Sequence, residues 1–213
     1  VSDGNSIGVD NTYYFKNSAG TGHRGSDPNW DETYVGGCTV IYDSTNSRFR
    51  MWYTGGQGDL LGQIGYAEST DGISWKKHEN NPVMKEGPEG SWDHRAVGFP
   101  TVVIVNDTCH MWYVAASDEI VVQIGYATST DGINWTVYEN NPVVRVGAED
   151  SWDSTWVYKP CVIYNDSSFY MWYTGTKGDW TDYDPWDAGI GYATSKDGIN
   201  WTKHASNPVF KKN

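Results

Sequence analysis

A sequence that repeats at a fixed interval has few folds open to it, because each unit must bury its apolar face against a copy of itself. In this chain of 213 residues, MWYTG at Met51–Gly55 returns as MWYVA at Met111–Ala115 and as MWYTG at Met171–Gly175, in steps of 60 residues. IGYAESTDGISW (Ile64–Trp75) returns at Ile124–Trp135 and Ile190–Trp201, and NPV follows each time, at Asn81, Asn141 and Asn207. A Trp-Asp pair opens every copy, at Trp30-Asp31, Trp92-Asp93 and Trp152-Asp153. The repeat divides the chain into units 29–90, 91–150 and 151–213.

Within a unit the pattern is strand after strand. CTVIY, FRMWYTG, QIGYAES and SWKKH are short β-branched or alternating runs, the period of a half-buried strand. Asp-Gly at 71–72, 131–132 and 197–198 sits between the third and fourth runs and is a strong hairpin signal. Gly, Asn, Thr and Trp punctuate every window long enough for a helix. The expected fold is all-β, a β-propeller built of four-stranded antiparallel blades of about 60 residues, three of them in this chain. Residues 1–28, rich in Gly, Ser and Asn, read either as an extended arm or as the outer strand of a preceding blade. The chain opens on Val1, which points to a processed or trimmed N terminus.

Repetition also sorts scaffold from candidate chemistry. Nine of the 12 tryptophans recur in every unit and are assigned to packing between blades. Trp156, Trp180 and Trp186 do not recur. The last two lie in an insertion, KGDWTDYDPWDAG: Tyr126 to Tyr192 spans 66 residues, whereas Tyr66 to Tyr126 spans 60. In a propeller this loop shares a face with the connections between blades. Asp182 beside Trp180, Tyr183 and Trp186 suits a sugar, which stacks an apolar face on a ring and gives its hydroxyls to carboxylates. Asp179, Asp182, Asp184 and Asp187 would also suit Ca²⁺, although the spacing is not that of an EF-hand. His94 and Arg95 break register with Ser154 and Thr155; such a pair at the funnel mouth would bind a carboxylate or sulfate, or form a salt bridge. Asp71, Asp131 and Asp197 read as turn formers.

The formal charge of −12 argues against nucleic acid, whose recognition needs a basic face. No apolar run is long enough to span a bilayer. Cys38, Cys109 and Cys161 have no metal-ligand spacing. Four N-x-S/T sequons, at Asn106, Asn134, Asn165 and Asn200, together with low Lys and high Trp and Tyr, suggest an extracellular glycoprotein.

The W-D, MWYTG, IGYATS-x-DG-x-x-W and NPV elements together resemble the blades of the five-bladed propeller glycosidases, the superfamily of arabinanases, xylosidases and invertases, from about Asn29 to the C terminus. The resemblance implies carboxylates at the starts of the innermost strands, often just before a proline, one acting as base or nucleophile and another as acid. At those places this sequence has Gly37 before Cys38, Phe99 before Pro100 and Lys159 before Pro160. If the chain is an enzyme, the acids nearest those positions are Asp31, Glu32, Asp93 and Asp153. Three blades fall short of the usual four to eight, so completion by a longer chain, by two copies in a six-bladed ring or by head-to-tail pairing is expected. The favoured reading is an extracellular, non-catalytic propeller that binds carbohydrate or builds a surface assembly. The alternative is a glycoside hydrolase acting on arabinan, xylan or fructan.

Overall fold

The MWY segment becomes the second strand of each blade, flanked on both sides by antiparallel neighbours. The computed structural model describes residues 30–56, 62–177 and 188–212, and none of these is helical. The expected arm at 1–28 lies outside them. The first blade is β1 (Tyr34–Asp43), β2 (Arg48–Gly56), β3 (Gln63–Ser69) and β4 (Lys76–Lys77), hydrogen-bonded in that order. The second is β5 (Ala96–Val105), β6 (Thr108–Ala116), β7 (Val122–Ser129) and β8 (Thr136–Val137). The third is β9 (Trp156–Asn165), β10 (Ser168–Thr176), β11 (Gly189–Ser195) and β12 (Thr202–Lys203), with β13 (Phe210–Lys211) also pairing β11. Neighbouring blades also meet edge to edge. Val122 and Trp156 form a parallel bridge, and the Val97 N–H donates to Gly62 O at 3.1 Å.

Each repeated motif has a mechanical role. In the Ser-x-Asp-Gly turn, the Asp71 carboxylate accepts from the N–H groups of Ile73 and Ser74 at 2.8 and 2.7 Å. Trp75 closes the turn by donating its indole N–H to Gly72 O at 3.1 Å. Asp131 and Asp197 repeat the pattern, and Gly72, Gly132 and Gly198 take the positive φ that the turn requires. In NPV the asparagine stands in for a missing strand: Asn81 accepts from Tyr66 N and donates to Tyr66 O, and Asn141 and Asn207 treat Tyr126 and Tyr192 alike.

The core lies between blades. Trp52, Ile64 and Tyr66 of the first blade pack with Val97, Val102, Met111 and Tyr113 of the second, and a matching cluster around Trp112 joins the second to the third. Trp52 donates to Gly132 O at 2.7 Å and Trp112 to Gly198 O at 2.8 Å, so each turn seals the blade before it. The sequon residues Asn134 and Asn200 give their side-chain amides to Asp131 and Asp197 at 2.7 Å. Cys109 is buried, whereas Cys38 and Cys161 are exposed free thiols.

Candidate functional site

The inner strands β1, β5 and β9 each carry a bulge at one equivalent place. Register slips between Gly36 and Thr39, between Gly98 and Thr101, and on β9 opposite the Trp172–Thr174 stretch of β10. The residues at the slips, Gly37, Phe99 and Lys159, have φ of 47°, 48° and 51°. Left-handed backbone costs a non-glycine residue roughly 1–2 kcal/mol and persists where the surroundings over-determine it. A bulge also re-aims the side chain it carries.

The three bulges converge. A Cβ added at Gly37 would lie 2.5 Å from Phe99 Cδ1, so the phenyl ring occupies the space over the glycine. Lys159 Nζ sits 5.7 Å from the Phe99 ring centroid and 5.5 Å from that of Tyr158, a cation–π arrangement. The Thr54 hydroxyl accepts from Phe99 N at 2.7 Å and donates to Gly37 O at 3.4 Å. Thr39 Oγ1 donates to Pro100 O at 2.9 Å. The result is an exposed ammonium over half-buried aromatic faces on a cross-linked backbone. Such a surface can hold an anionic or hydroxyl-rich group while offering apolar faces; the three bulge positions themselves carry no carboxylate.

Asp31, Asp93 and Asp153 are held by partners other than the bulge residues. Asp31 accepts from the Tyr53 hydroxyl at 2.8 Å and from Lys77 Nζ at 2.6 Å, and Asp153 accepts from Tyr173 at 3.1 Å and Lys203 at 2.6 Å. Each thereby ties the segment entering its blade to β2 or β10 and to the outermost strand. Burial, together with the adjacent carboxylate, pushes the Tyr53 and Tyr173 hydroxyls far above their usual range, so both remain protonated donors. Asp93 is also buried and accepts from Ser91 Oγ at 2.7 Å, but Val137 stands where the other blades carry Lys77 and Lys203. Glu32 is exposed. His94 Nε2 lies 3.7 Å from Asp118 Oδ1, and Arg95 Nε is buried with no hydrogen-bond partner among the described residues.

Trp156 is 6% exposed and donates its indole N–H to Ile120 O at 2.9 Å; it packs with Ala96, Val114 and Val122. Asp179, Trp180, Asp182, Tyr183, Asp184, Trp186 and Asp187 lie outside the described residues, and with them the expected Ca²⁺ ligands. Among the described residues, no three His, Cys, Asp or Glu side chains group as a metal site.

Sequence reasoning named Gly37, Phe99 and Lys159 only as departures from a pattern and missed Thr54 and Tyr158. The available signal was the residue before proline in two units and glycine in the third. It also passed over Asp27-Pro28, which with Asp184-Pro185 gives the only two Asp-Pro pairs among the chain's 8 prolines. Both pairs lie outside the described residues.

The stacked blades and the bulged inner strands define a propeller of the glycoside-hydrolase type. The chain belongs to the family described as the glycosyl hydrolases family 32 N-terminal domain, whose model matches residues 25–142, more than half of the chain. The model described as β-1,4-mannooligosaccharide phosphorylase matches residues 100–185. An uncharacterized protein of Mycobacterium tuberculosis is 31% identical over 142 residues, covering 64% of this chain and 44% of the relative. A β-1,2-mannobiose phosphorylase of Thermoanaerobacter is 29% identical over 139 residues, 59% of this chain and 43% of the relative. The chain thus spans less than half the length of these curated relatives. Among solved structures, a family 117 glycoside hydrolase of Zobellia galactanivorans superposes with a TM-score of 0.72 at 18% identity, over 87% of this chain and 60% of that one.

Proposed function

We propose that the three blades form a carbohydrate-binding wall of an extracellular propeller, and that their inner-strand bulges bind rather than cleave. One observation carries this reading: Gly37, Phe99 and Lys159, the three equivalent strained positions, meet as a glycine, a ring and an ammonium, so none of the three supplies the carboxylate that hydrolysis uses. The ligand class is an oligosaccharide, with Lys159 meeting an anionic substituent or accompanying phosphate. A mannoside is the first to test, because two of the similar families and proteins carry mannoside phosphorylase names. The other partner is further blades of the same kind at the open faces.

The test is calorimetric titration of the chain with manno-, arabino-, xylo- and fructo-oligosaccharides, with and without phosphate. Saturable binding that Lys159→Ala weakens at least tenfold supports the reading. Turnover of any of these sugars overturns it. The second reading, a glycoside-cleaving enzyme, is favoured by one observation: Asp27, an aspartate directly before a proline, falls inside the matched stretch 25–142. Loss of turnover in Asp27→Asn or Asp93→Asn with the fold intact would establish it.

A further inference from the structure

The seam between the first and second blades holds a permanent cation, and the seam between the second and third holds a side chain that titrates near neutral pH. Arg50 on β2, His110 on β6 and Tyr170 on β10 occupy one place in the repeat. Arg50 lies over the rings of Trp52 and Tyr66, 5.1 and 5.7 Å from their centroids, and donates to Asp131 O in the turn of the next blade. His110 stacks on Trp112, with centroids 6.2 Å apart and planes 16° from parallel, and lies 5.5 Å from the Phe169 ring of the third blade. Its Nδ1 is 2.6 Å from the Tyr126 hydroxyl.

The two places differ in what holds the tyrosine. The Tyr66 hydroxyl donates to Glu68 Oε1 at 2.6 Å, which leaves its oxygen to accept from Arg50 Nε at 3.0 Å; Arg48 in turn pairs with Glu68 at 2.7 Å. In the second blade Thr128 stands in the place of Glu68 and Thr108 in that of Arg48. Among the described residues, His110 is the one recorded partner of the Tyr126 hydroxyl. Burial, with the Asp197 carboxylate, pushes that hydroxyl up to about 12. The phenol therefore keeps its proton and donates it to Nδ1, which assigns a neutral imidazole with its own proton on Nε2. Trp112 offers a protonated ring the face that Trp52 offers Arg50, but an acceptor for a proton on Nδ1 is missing, because Tyr126 has no carboxylate to take its own. The surrounding elements do not supply one. On β5 the residue paired with His110 is Val103, and on β10 the facing side chain is Phe169; Tyr138 packs on Tyr126 and Tyr164 on Phe169. In the turn after β11, Asp197 already accepts from Ser195, Ile199 and Asn200, and Lys196 donates to Ser168 Oγ. Burial holds the His110 ring below its ordinary 6.5.

We propose that His110 is an acid-sensitive clasp between the second and third blades: neutral, it bonds Tyr126 and packs against Phe169; protonated, it loses that bond and the seam opens more often. This is the seam across which Lys159 approaches Phe99, so acid that loosens it reaches the candidate site, whether or not a sugar is the ligand there. Because the folded ring titrates below 6.5, the unfolded chain takes up the proton first. The contribution of the clasp is therefore complete above about pH 7 and is lost as the pH falls through 6.5 toward the folded value. That window lies above the one in which the turn carboxylates titrate.

Histidine-ring NMR and urea unfolding of the chain between about pH 7.5 and about pH 5 test this. The His110 ring, assigned by its disappearance in His110→Gln, should titrate below 6.5, and the urea midpoint should fall with pH across that range. His110→Gln should flatten the fall. Thr128→Glu, which copies the first blade, should raise the His110 ring above 6.5, because the new carboxylate takes the Tyr126 proton and leaves the phenol oxygen to accept; the midpoint should then no longer fall. Exchange of the β9 and β10 amides, corrected for intrinsic rate, should quicken about threefold or more on acidification of the parent chain and not in His110→Gln. The parent ring titration and Thr128→Glu decide the matter even if His110→Gln fails to fold. A parent ring that titrates at or above 6.5 overturns the clasp. So does a midpoint that falls equally in His110→Gln, or a ring that Thr128→Glu leaves where it was.

Discussion

Trp52 donates its indole N–H to the carbonyl of Gly132 across a separation of 80 residues, and Trp112 does the same to Gly198 across 86. One side chain thus joins the middle of a blade to the turn of the next. Its ring fills the interblade core while its one polar atom is satisfied, the arrangement a buried indole requires.

Trp112→Phe should therefore destabilise the chain by roughly 1–3 kcal/mol, because it removes the interblade donor to Gly198 O, which keeps only the bond from Trp201 within its own turn, and shrinks a fully buried ring. Trp172→Phe, at the half-open equivalent, should change stability by no more than about 0.5 kcal/mol. Urea unfolding midpoints of the two variants at low protein concentration check the contrast. Equal losses would mean that the interblade bond from the indole contributes nothing.

Lysine distribution among the blades gives a second expectation. Asp31 and Asp153 each hold a lysine and Asp93 does not, because Val137 occupies that place at 45% exposure. Val137→Lys should supply the ion pair and raise stability by up to about 1 kcal/mol, with a gain that shrinks in high salt. Lys203→Met should cost on the order of 1–2 kcal/mol, since it strips a buried carboxylate of its ammonium. Thermal melts at two ionic strengths measure both.

Strong acid should loosen the turns. The N–H groups of Ser74 and Ile73 hold the Asp71 carboxyl down to about 2, below the ordinary 3.8. At Asp131 and Asp197 burial opposes ionisation, but the N–H and side-chain bonds from Asn134 and Asn200 outweigh it and depress both carboxyls. Between the ordinary carboxylate range and these values the unfolded chain binds more protons than the folded one. Stability from the turns is therefore complete above about pH 4 and is lost as pH falls toward 2. Asp131→Asn should flatten that decline in urea titrations at fixed pH; an unchanged slope would contradict the assignment.

At the mouth, backbone and ligand effects should separate. Gly37→Ala places a Cβ 2.5 Å from Phe99 Cδ1 on left-handed backbone and should cost roughly 1–3 kcal/mol. Lys159→Gly exchanges relief of the same strain for added unfolded-state freedom, so stability should stay within about 0.5 kcal/mol. Oligosaccharide binding should nonetheless fall at least tenfold. Chemical denaturation and calorimetry on the same samples read the two effects apart.

Much of the fold was legible in the sequence because repetition multiplies each signal. MWY, Asp-Gly and NPV each mark one element, and three copies at a fixed interval leave little room for another architecture. The turn role of Asp71, Asp131 and Asp197 could be read locally, since an Asp side chain bonds N–H groups two and three residues away. The site was less legible. Phe99 and Lys159 could be located by alignment to the repeat, but not their approach to each other, because that contact crosses from one blade to the next.

Sequence by itself therefore determined the elements: strand, turn and repeat depend on bonds between residues near in the chain and on a period written into composition. Only the tertiary structure decided which equivalent residues differ in circumstance. Trp52 and Trp172 sit in the same local motif, yet one is sealed and the other open, because burial depends on whether a neighbouring blade is there to cover them. Trp156 breaks the repeat as a binding residue would, yet it packs under Ile120. Lys159 breaks the expected pattern of acids, yet the bulge that aims it over Phe99 gives that departure its chemical meaning.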